Sequence, residues 1–243
     1  MFIRYLFFCL FFFLIISSSQ ATHIVGGELN YTYLGANEYE IRLVVYRDCF
    51  NGIPPFDNPA SIGIFDSNNM LIQELSVFIT IEENIPNFIN SPCLQPPSNI
   101  CYEYAEYITT VNLPPIPGGY QLAYQRCCRN NSILNVFNVA NVGATYYTTI
   151  PDTSIVSVNS NPRFTNLPPT FICLDAPFHF DHSATDTDGD SLVYELCTPL
   201  NGASSANPAR TSLPFFPCST AAGTCLRASC SSRACLRHLR PQL

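Results

Sequence analysis

The chain has 243 residues, 47% of them hydrophobic and only 12% charged, about half the usual charged fraction. It has no Lys and no Trp, and all eighteen acidic residues lie between Glu28 and Glu195, where five arginines oppose them to leave a formal charge of −13. A field of that sign disfavours nucleic acid and anionic lipid as partners and favours cations.

The N-terminus reads as a secretory signal over residues 1–21. Arg4 supplies the positive start, Tyr5 to Ile16 the apolar run, and Ser19 and Ala21 the small residues before a cleavage site. A membrane anchor is the competing reading, but the run is shorter than the roughly 20 residues a span requires. No second apolar segment follows, so the mature chain is expected to lack a transmembrane segment and to be secreted or held at the cell surface. Cys9 has no lipobox-like surroundings.

From Thr22 the pattern is strand after strand. Tyr39, Ile41, Leu43 and Val45 alternate with Glu40, Arg42, Val44 and Tyr46, after a turn at Gly35-Ala36-Asn37. Strands are expected at Ser61 to Phe65 and Leu71 to Ile81, joined by the turn Asp66-Ser67-Asn68-Asn69. Further strands are expected at Ile100 to Leu113, Tyr120 to Gln125, Ser132 to Val139 and Ala144 to Ile150. No window carries a 3.6-residue apolar period, and Pro-Pro pairs punctuate the loops. Seven or eight strands over 22–152 predict a complete β-sandwich.

Residues 153–169 read as a Pro-rich connector. A second unit, 170–212, opens with Phe171-Ile172-Cys173, continues through Phe178-His179-Phe180 and an Asp-rich turn, and reaches a strand at Leu192 to Leu196. It is expected to be an incomplete Ig-like or cadherin-like domain. The fold class is therefore all-β, with Ig-like or cadherin-like sandwich domains. Residues 213–243 lack acidic residues and strand periodicity and hold four Arg and four Cys. This atypical tail is expected to be a frameshift product; a genuine Cys-rich basic tail is the alternative.

Secretion makes the cysteines disulfide candidates. Seven lie in the body: Cys49, Cys93, Cys101, Cys127, Cys128, Cys173 and Cys197. Cys93 and Cys101 flank a short Pro-rich loop that they are placed to close. Cys173 and Cys197 bracket the Asp-rich turn. Cys127 and Cys128 are adjacent, point to opposite faces in a strand, and are expected to take different partners. A four-cysteine zinc site is the competing reading, but no Cys-x-x-Cys pair exists.

The chemistry concentrates at Asp181, Asp186, Asp188 and Asp190. Four carboxylates crowd within ten residues, and no Lys or Arg lies between Arg163 and Arg210. Such a cluster suits Ca2+, a hard cation that takes oxygen ligands, with Asp186, Asp188 and Asp190 the leading candidates. It is not an EF-hand, because positions six and twelve from Asp186 are Ser191 and Cys197. A solvated Asp-Gly turn is the plain alternative.

Other motifs point less far. As a strand, His179 and Asp181 share one face and Phe178, Phe180 and His182 the other, which spoils joint ligation by the histidines. Gly189-Asp190-Ser191-Leu192 spells an esterase signature without its Asp-x-x-His partner. Ile24-Val25-Gly26-Gly27 is similar to a trypsin-like mature terminus without the nucleophile motif. Asn30 and Asn130 head N-glycosylation triplets. Tyr102, Tyr104, Tyr107, Tyr120 and Tyr124 are candidates for stacking on sugar rings, against the plain reading as strand residues.

Five segments together carry a resemblance: Ala21–Glu28, Val45–Cys49, Pro55–Ala60, Tyr124–Asn131 and Phe180–Pro199. They resemble the N-terminal region of large secreted Bacteroidetes surface proteins that carry Ig-like, PKD-like or cadherin-like repeats. The resemblance covers residues 1–207. It implies gliding-motility-associated, type IX secretion architecture, with adhesive, matrix or gliding roles; the chain departs from that pattern after Asn207, with no repeat array and no sorting domain. The function expected is a non-enzymatic structural or adhesive module, stiffened by disulfides and Ca2+, meeting an extracellular protein or polysaccharide. A carbohydrate-binding module is the alternative, and a secreted hydrolase the least favoured.

Overall fold

The computed structural model describes residues 23–86, 98–134, 136–170, 172, 177–196, 199–204, 216–217 and 234–238. The expected signal segment lies outside them, as do Cys93, Cys173 and Cys197. Among the described residues no helix is long and apolar enough to cross a membrane.

Eight strands build the first unit: β1 (Ile24–Gly35), β2 (Glu38–Asp48), β3 (Ala60–Asp66), β4 (Leu71–Val77), β5 (Ile81–Asn84), β6 (Tyr102–Asn112), β7 (Tyr120–Arg126) and β8 (Ala144–Ile150). They form two antiparallel four-stranded sheets, ordered β1-β2-β6-β5 and β4-β3-β7-β8. The chain is an all-β sandwich. Its core follows from the period-two pattern: Tyr31, Tyr39, Ile41, Leu43, Val45, Ala105 and Tyr107 face Ile62, Ile64, Leu122, Tyr124, Tyr146 and Ile150 in one buried cluster.

The β1–β2 hairpin turns where expected. Ala36 and Asn37 both take positive φ, 50° and 64°, which a two-residue hairpin loop of this hand demands. The β3–β4 turn is held by Asp66, whose Oδ1 accepts the backbone N–H groups of Asn68 and Met70 at 2.8 Å each.

Two expected strands are corrected. Leu71 to Ile81 is not one strand. β4 stays beside β3, then Phe78–Thr80 carries the chain across to the other sheet, where β5 pairs with β6. Ser132 to Val139 is not a strand: its described residues are turns and irregular chain, with a single bridge residue at Val136, entering a short 3-10 turn, Val139–Asn141, with Asn138 left-handed before it. The apolar side chains there pack on one another, Val136 and Val142 with Ile133 and Val139, instead of on the sandwich core.

Beyond the sandwich come β9 (Arg163–Phe164), β10 (Ala184–Thr185), β11 (Leu192–Leu196), β12 (Leu200–Asn201), β13 (Phe216–Pro217) and β14 (Ala234–His238). They pair as β9 with β10, β11 with β14 and β12 with β13, all antiparallel. No strand forms at Phe178–Phe180. The 153–169 segment packs on the sandwich: Asn161 exchanges hydrogen bonds with the Tyr31 backbone, both at 2.9 Å, and Thr148 Oγ1 donates to Asn161 Oδ1 at 2.9 Å. Asn161 thus closes the side on which β1 and β8 meet.

Candidate functional site

The aspartate turn is built by its own first member. Asp186 Oδ1 accepts the N–H groups of Asp188, at 2.9 Å, and Asp190, at 3.2 Å. Gly189, at φ 78°, lets the chain reverse between them. This brings one carboxylate oxygen each from Asp186, Asp188 and Asp190 within 4.8 Å of one another. Asp186 Oδ2 is buried and receives no hydrogen bond. An oxygen in that position is available to a cation, and three carboxylates at this spacing are the donor type a hard ion such as Ca2+ would take.

Asp181 does not join them. Its carboxylate accepts the Ser183 N–H at 3.0 Å and the Asn166 amide at 3.3 Å. The Ser183 backbone bond holds its carboxyl below the usual range. The expectation of four clustered aspartates is corrected to three. The turn is also tied to the sandwich, because the Ser160 N–H donates to Asp188 Oδ2.

The second constellation lies at the end of the sandwich where β2 and β7 finish and β1, β6 and β8 begin. Residues 23–28, 45–49, 55–60 and 124–131 meet here. Asp48 organises it: its carboxylate accepts the Phe50 and Asn51 N–H groups at 2.9 and 3.0 Å, the Asn51 amide at 2.8 Å and the Asn130 amide at 3.0 Å. Burial alone would raise its pKa, but these four donors outweigh burial and hold the carboxyl below its ordinary value. Asp57 does the same for the next turn of chain. It pairs with Arg126, and its Oδ2 accepts the Tyr124 hydroxyl at 2.8 Å.

His23 is fully buried beneath this network. Neither ring nitrogen has a hydrogen-bond partner among the described residues. Burial, then the charges of Arg126 and Arg47, push its pKa down to about 4.

The cysteine expectations are corrected here. Cys101 bonds to Cys49, not Cys93, and pins the chain after β2 to the start of β6. Cys127 and Cys128 lie side by side across a cis peptide bond, both fully buried. A loop before β8 replaces the strand that would have turned them apart. Buried Ala203 packs against this pair. Arg129 spans the same seam, donating to the carbonyls of Gly143 at 2.9 Å and Leu200 at 3.1 Å. The Cys173–Cys197 clamp lies outside the described residues.

The remaining candidates scatter. Tyr107, Tyr120 and Tyr124 are buried, which removes them as a sugar platform. Tyr104 stays partly exposed, its ring 6.2 Å from that of Tyr46. Asn30 and Asn130, the glycosylation candidates, are both buried. Ile24-Val25-Gly26-Gly27 lies within β1, and Gly189-Asp190-Ser191-Leu192 runs from the aspartate turn into β11. Phe178, Phe180 and His182 do share a side, their rings 6.4 and 5.4 Å apart in succession. The linking roles of Asp48, Asp57, Arg129 and Asn130 were missed in the sequence, because each depends on partners distant in the chain. No family model, curated protein or solved structure matches the chain.

Proposed function

We propose that this chain is a secreted, non-enzymatic surface module with a structural or adhesive role, stiffened by Ca2+ at Asp186, Asp188 and Asp190. The observation that carries this reading is the Ser160–Asp188 hydrogen bond. It couples the carboxylate triad to a segment that is itself bonded to β1 and β8, so a cation held there would lock the following chain to the sandwich. The strand order supports the Ig-like part of the reading. β1-β2-β6-β5 against β3-β7-β8 follows the A-B-E-D and C-F-G order of immunoglobulin sandwiches, with β4 as an added edge strand. The signal-like N-terminus and the resemblance to large Bacteroidetes surface proteins support secretion and a place at the cell surface.

Titration calorimetry of the full chain with millimolar Ca2+, paired with limited proteolysis, tests the reading. Binding heat and slower cleavage between residues 150 and 200 are expected, and Asp188→Asn is expected to abolish both. No heat, and equal cleavage with Ca2+ and with chelator, would sink the calcium part. The carbohydrate reading keeps one supporting observation, the Tyr46–Tyr104 ring pair on the outer face of its sheet. A glycan array without saturable binding would remove it.

A further inference from the structure

A carbonyl oxygen lies orphaned beside the aspartate turn. Asn159 is only 9% exposed, and its Oδ1 is buried without a hydrogen-bond partner among the described residues. An acceptor buried in that way is costly unless a group from outside the chain meets it. Asp186 Oδ2 is in the same condition.

The register of β9 on β10 fixes where Asn159 stands. Phe164 pairs with Ala184 and Arg163 with Thr185. Continued along both segments, that antiparallel register sets Asp186 beside Pro162 and Asp188 beside Ser160. The Ser160 N–H donates to Asp188 Oδ2, as the register requires. Asn159 is the next residue along, level with Gly189, where the turn that carries the three carboxylates reverses. Its side chain is held there, because Nδ2 donates to the Tyr31 hydroxyl and to the Ser160 carbonyl, the latter at 3.3 Å. Burial first, then the charges of Tyr39, Asp188 and Asp186, push the Tyr31 hydroxyl above its ordinary value, against the Asn159 hydrogen bond. The hydroxyl that holds Asn159 thus lies within the field of the triad. Arg163, three residues on from Ser160, does not answer these oxygens: its guanidinium is turned to Thr32 Oγ1 at 2.9 Å and Glu40 at 3.4 Å.

We propose that the cation held by Asp186, Asp188 and Asp190 takes a fourth protein ligand from the preceding segment, the side-chain carbonyl oxygen of Asn159. The proposal rests on the calcium reading and deepens it, because the ion becomes a cross-link between two stretches of chain instead of the filling of one turn. Ca2+ takes about 6–8 oxygen ligands and accepts Asn carbonyls among its carboxylates, so three aspartates leave room for Asn159. A cation on Oδ1 draws charge from the amide and strengthens its N–H bond to Tyr31. The ion is thereby tied to a fully buried core tyrosine as well as to the Ser160 backbone.

Calorimetry of the full chain with Ca2+, repeated on variants, tests this. Asn159→Ala is expected to lower the affinity at least about tenfold. Asn159→Asp, which sets a carboxylate oxygen in the same place, should match or exceed the parent. Asn166→Ala, beside the excluded Asp181, should leave the affinity unchanged. Tb3+ gives a second readout, since it is excited through tyrosine in a chain without Trp. Tyr31→Phe should remove much of the sensitised emission while Ca2+ still displaces the ion. Parent affinity in Asn159→Ala overturns the proposal. Weaker binding by Asn159→Asp than by Asn159→Ala turns the amide nitrogen, not the oxygen, to the triad and overturns it too, as does undiminished emission from Tyr31→Phe. If Asn159→Ala loses its far-UV circular dichroism, Asn159→Asp and Tyr31→Phe decide the matter. Asp188→Asn keeps the two failures apart. Ca2+ binding that Asp188→Asn abolishes and Asn159→Ala spares leaves the calcium reading standing and removes Asn159 from the site. A parent chain that binds no Ca2+ removes both.

Discussion

Ala36 occupies a left-handed position that an L side chain enters at a cost, because its Cβ crowds the following carbonyl oxygen. The β1–β2 hairpin requires that conformation, and Asn37 beside it tolerates it far better. Ala36→Gly should therefore stabilise the protein by about 0.5–1 kcal/mol, read as a higher urea midpoint at unchanged slope. His23 poses a different problem at the same scale. Its pKa of about 4 in the folded chain lies below its ordinary 6.5. The unfolded chain therefore binds a proton between those values that the folded chain refuses. Stability from this group is full above pH 6.5 and is lost as pH falls towards 4, by about 3 kcal/mol in total. His23→Leu removes both the titration and two unpartnered nitrogens. Unfolding free energies at pH 4.5 and 7 should differ by much less in that variant; an unchanged difference would place the acid sensitivity elsewhere.

At the scale of elements, β2, β3, β7 and β8 were legible because one face of each is buried and the alternation says so directly. The single strand expected over Leu71 to Ile81 failed for a physical reason. An apolar run carries no mark of the point where a chain leaves one sheet for another, and β4 and β5 lie on edges with most side chains exposed, so burial did not impose a pattern. The Ser132 to Val139 run misled because its apolar residues serve a local cluster. Cysteine pairing was illegible for a third reason: connectivity is set by which strand ends meet, and adjacent cysteines diverge only where the backbone is a regular strand.

The aspartate triad could be read from its spacing, but the exclusion of Asp181 depended on Ser183 and Asn166 competing for its carboxylate. Close backbone approach was equally hidden. A Cβ on Gly143 would lie 2.2 Å from the Ala203 carbonyl oxygen and 2.7 Å from that of Arg126. Backbone on both sides cannot yield as a flexible side chain can, so Gly143→Ala should destabilise by about 2 kcal/mol and free the 199–204 segment. Hydrogen exchange at Gly202 and Ala203 would report that release.

Across the whole molecule the two open sides of the sandwich are managed in opposite ways. The β1–β8 side is closed by the chain itself, through Asn161 bonding β1 and Asn201 accepting the Thr145 hydroxyl at 3.2 Å. The β4–β5 side has no such cover among the described residues, and its edge strands present unpaired backbone groups beside Met70, Leu71, Ile72 and Phe78. Such an edge templates strand pairing between molecules unless charge prevents it. Glu74, Glu82 and Glu83 supply that charge, and a chain without Lys offers no ammonium to neutralise them. Replacing all three by Gln keeps size and hydrogen-bonding capacity while removing the repulsion. The triple variant should unfold at a midpoint within about 1 kcal/mol of the parent, since surface changes of this kind are small, yet aggregate faster, with light scattering rising at lower concentration. High salt should push the parent towards the same behaviour, because the repulsion is exposed and screened within about 10 Å at 0.1 M. If the variant and the parent scatter alike at low salt, the acidic edge is not what keeps the sandwiches apart, and the edge backbone must be protected by other means.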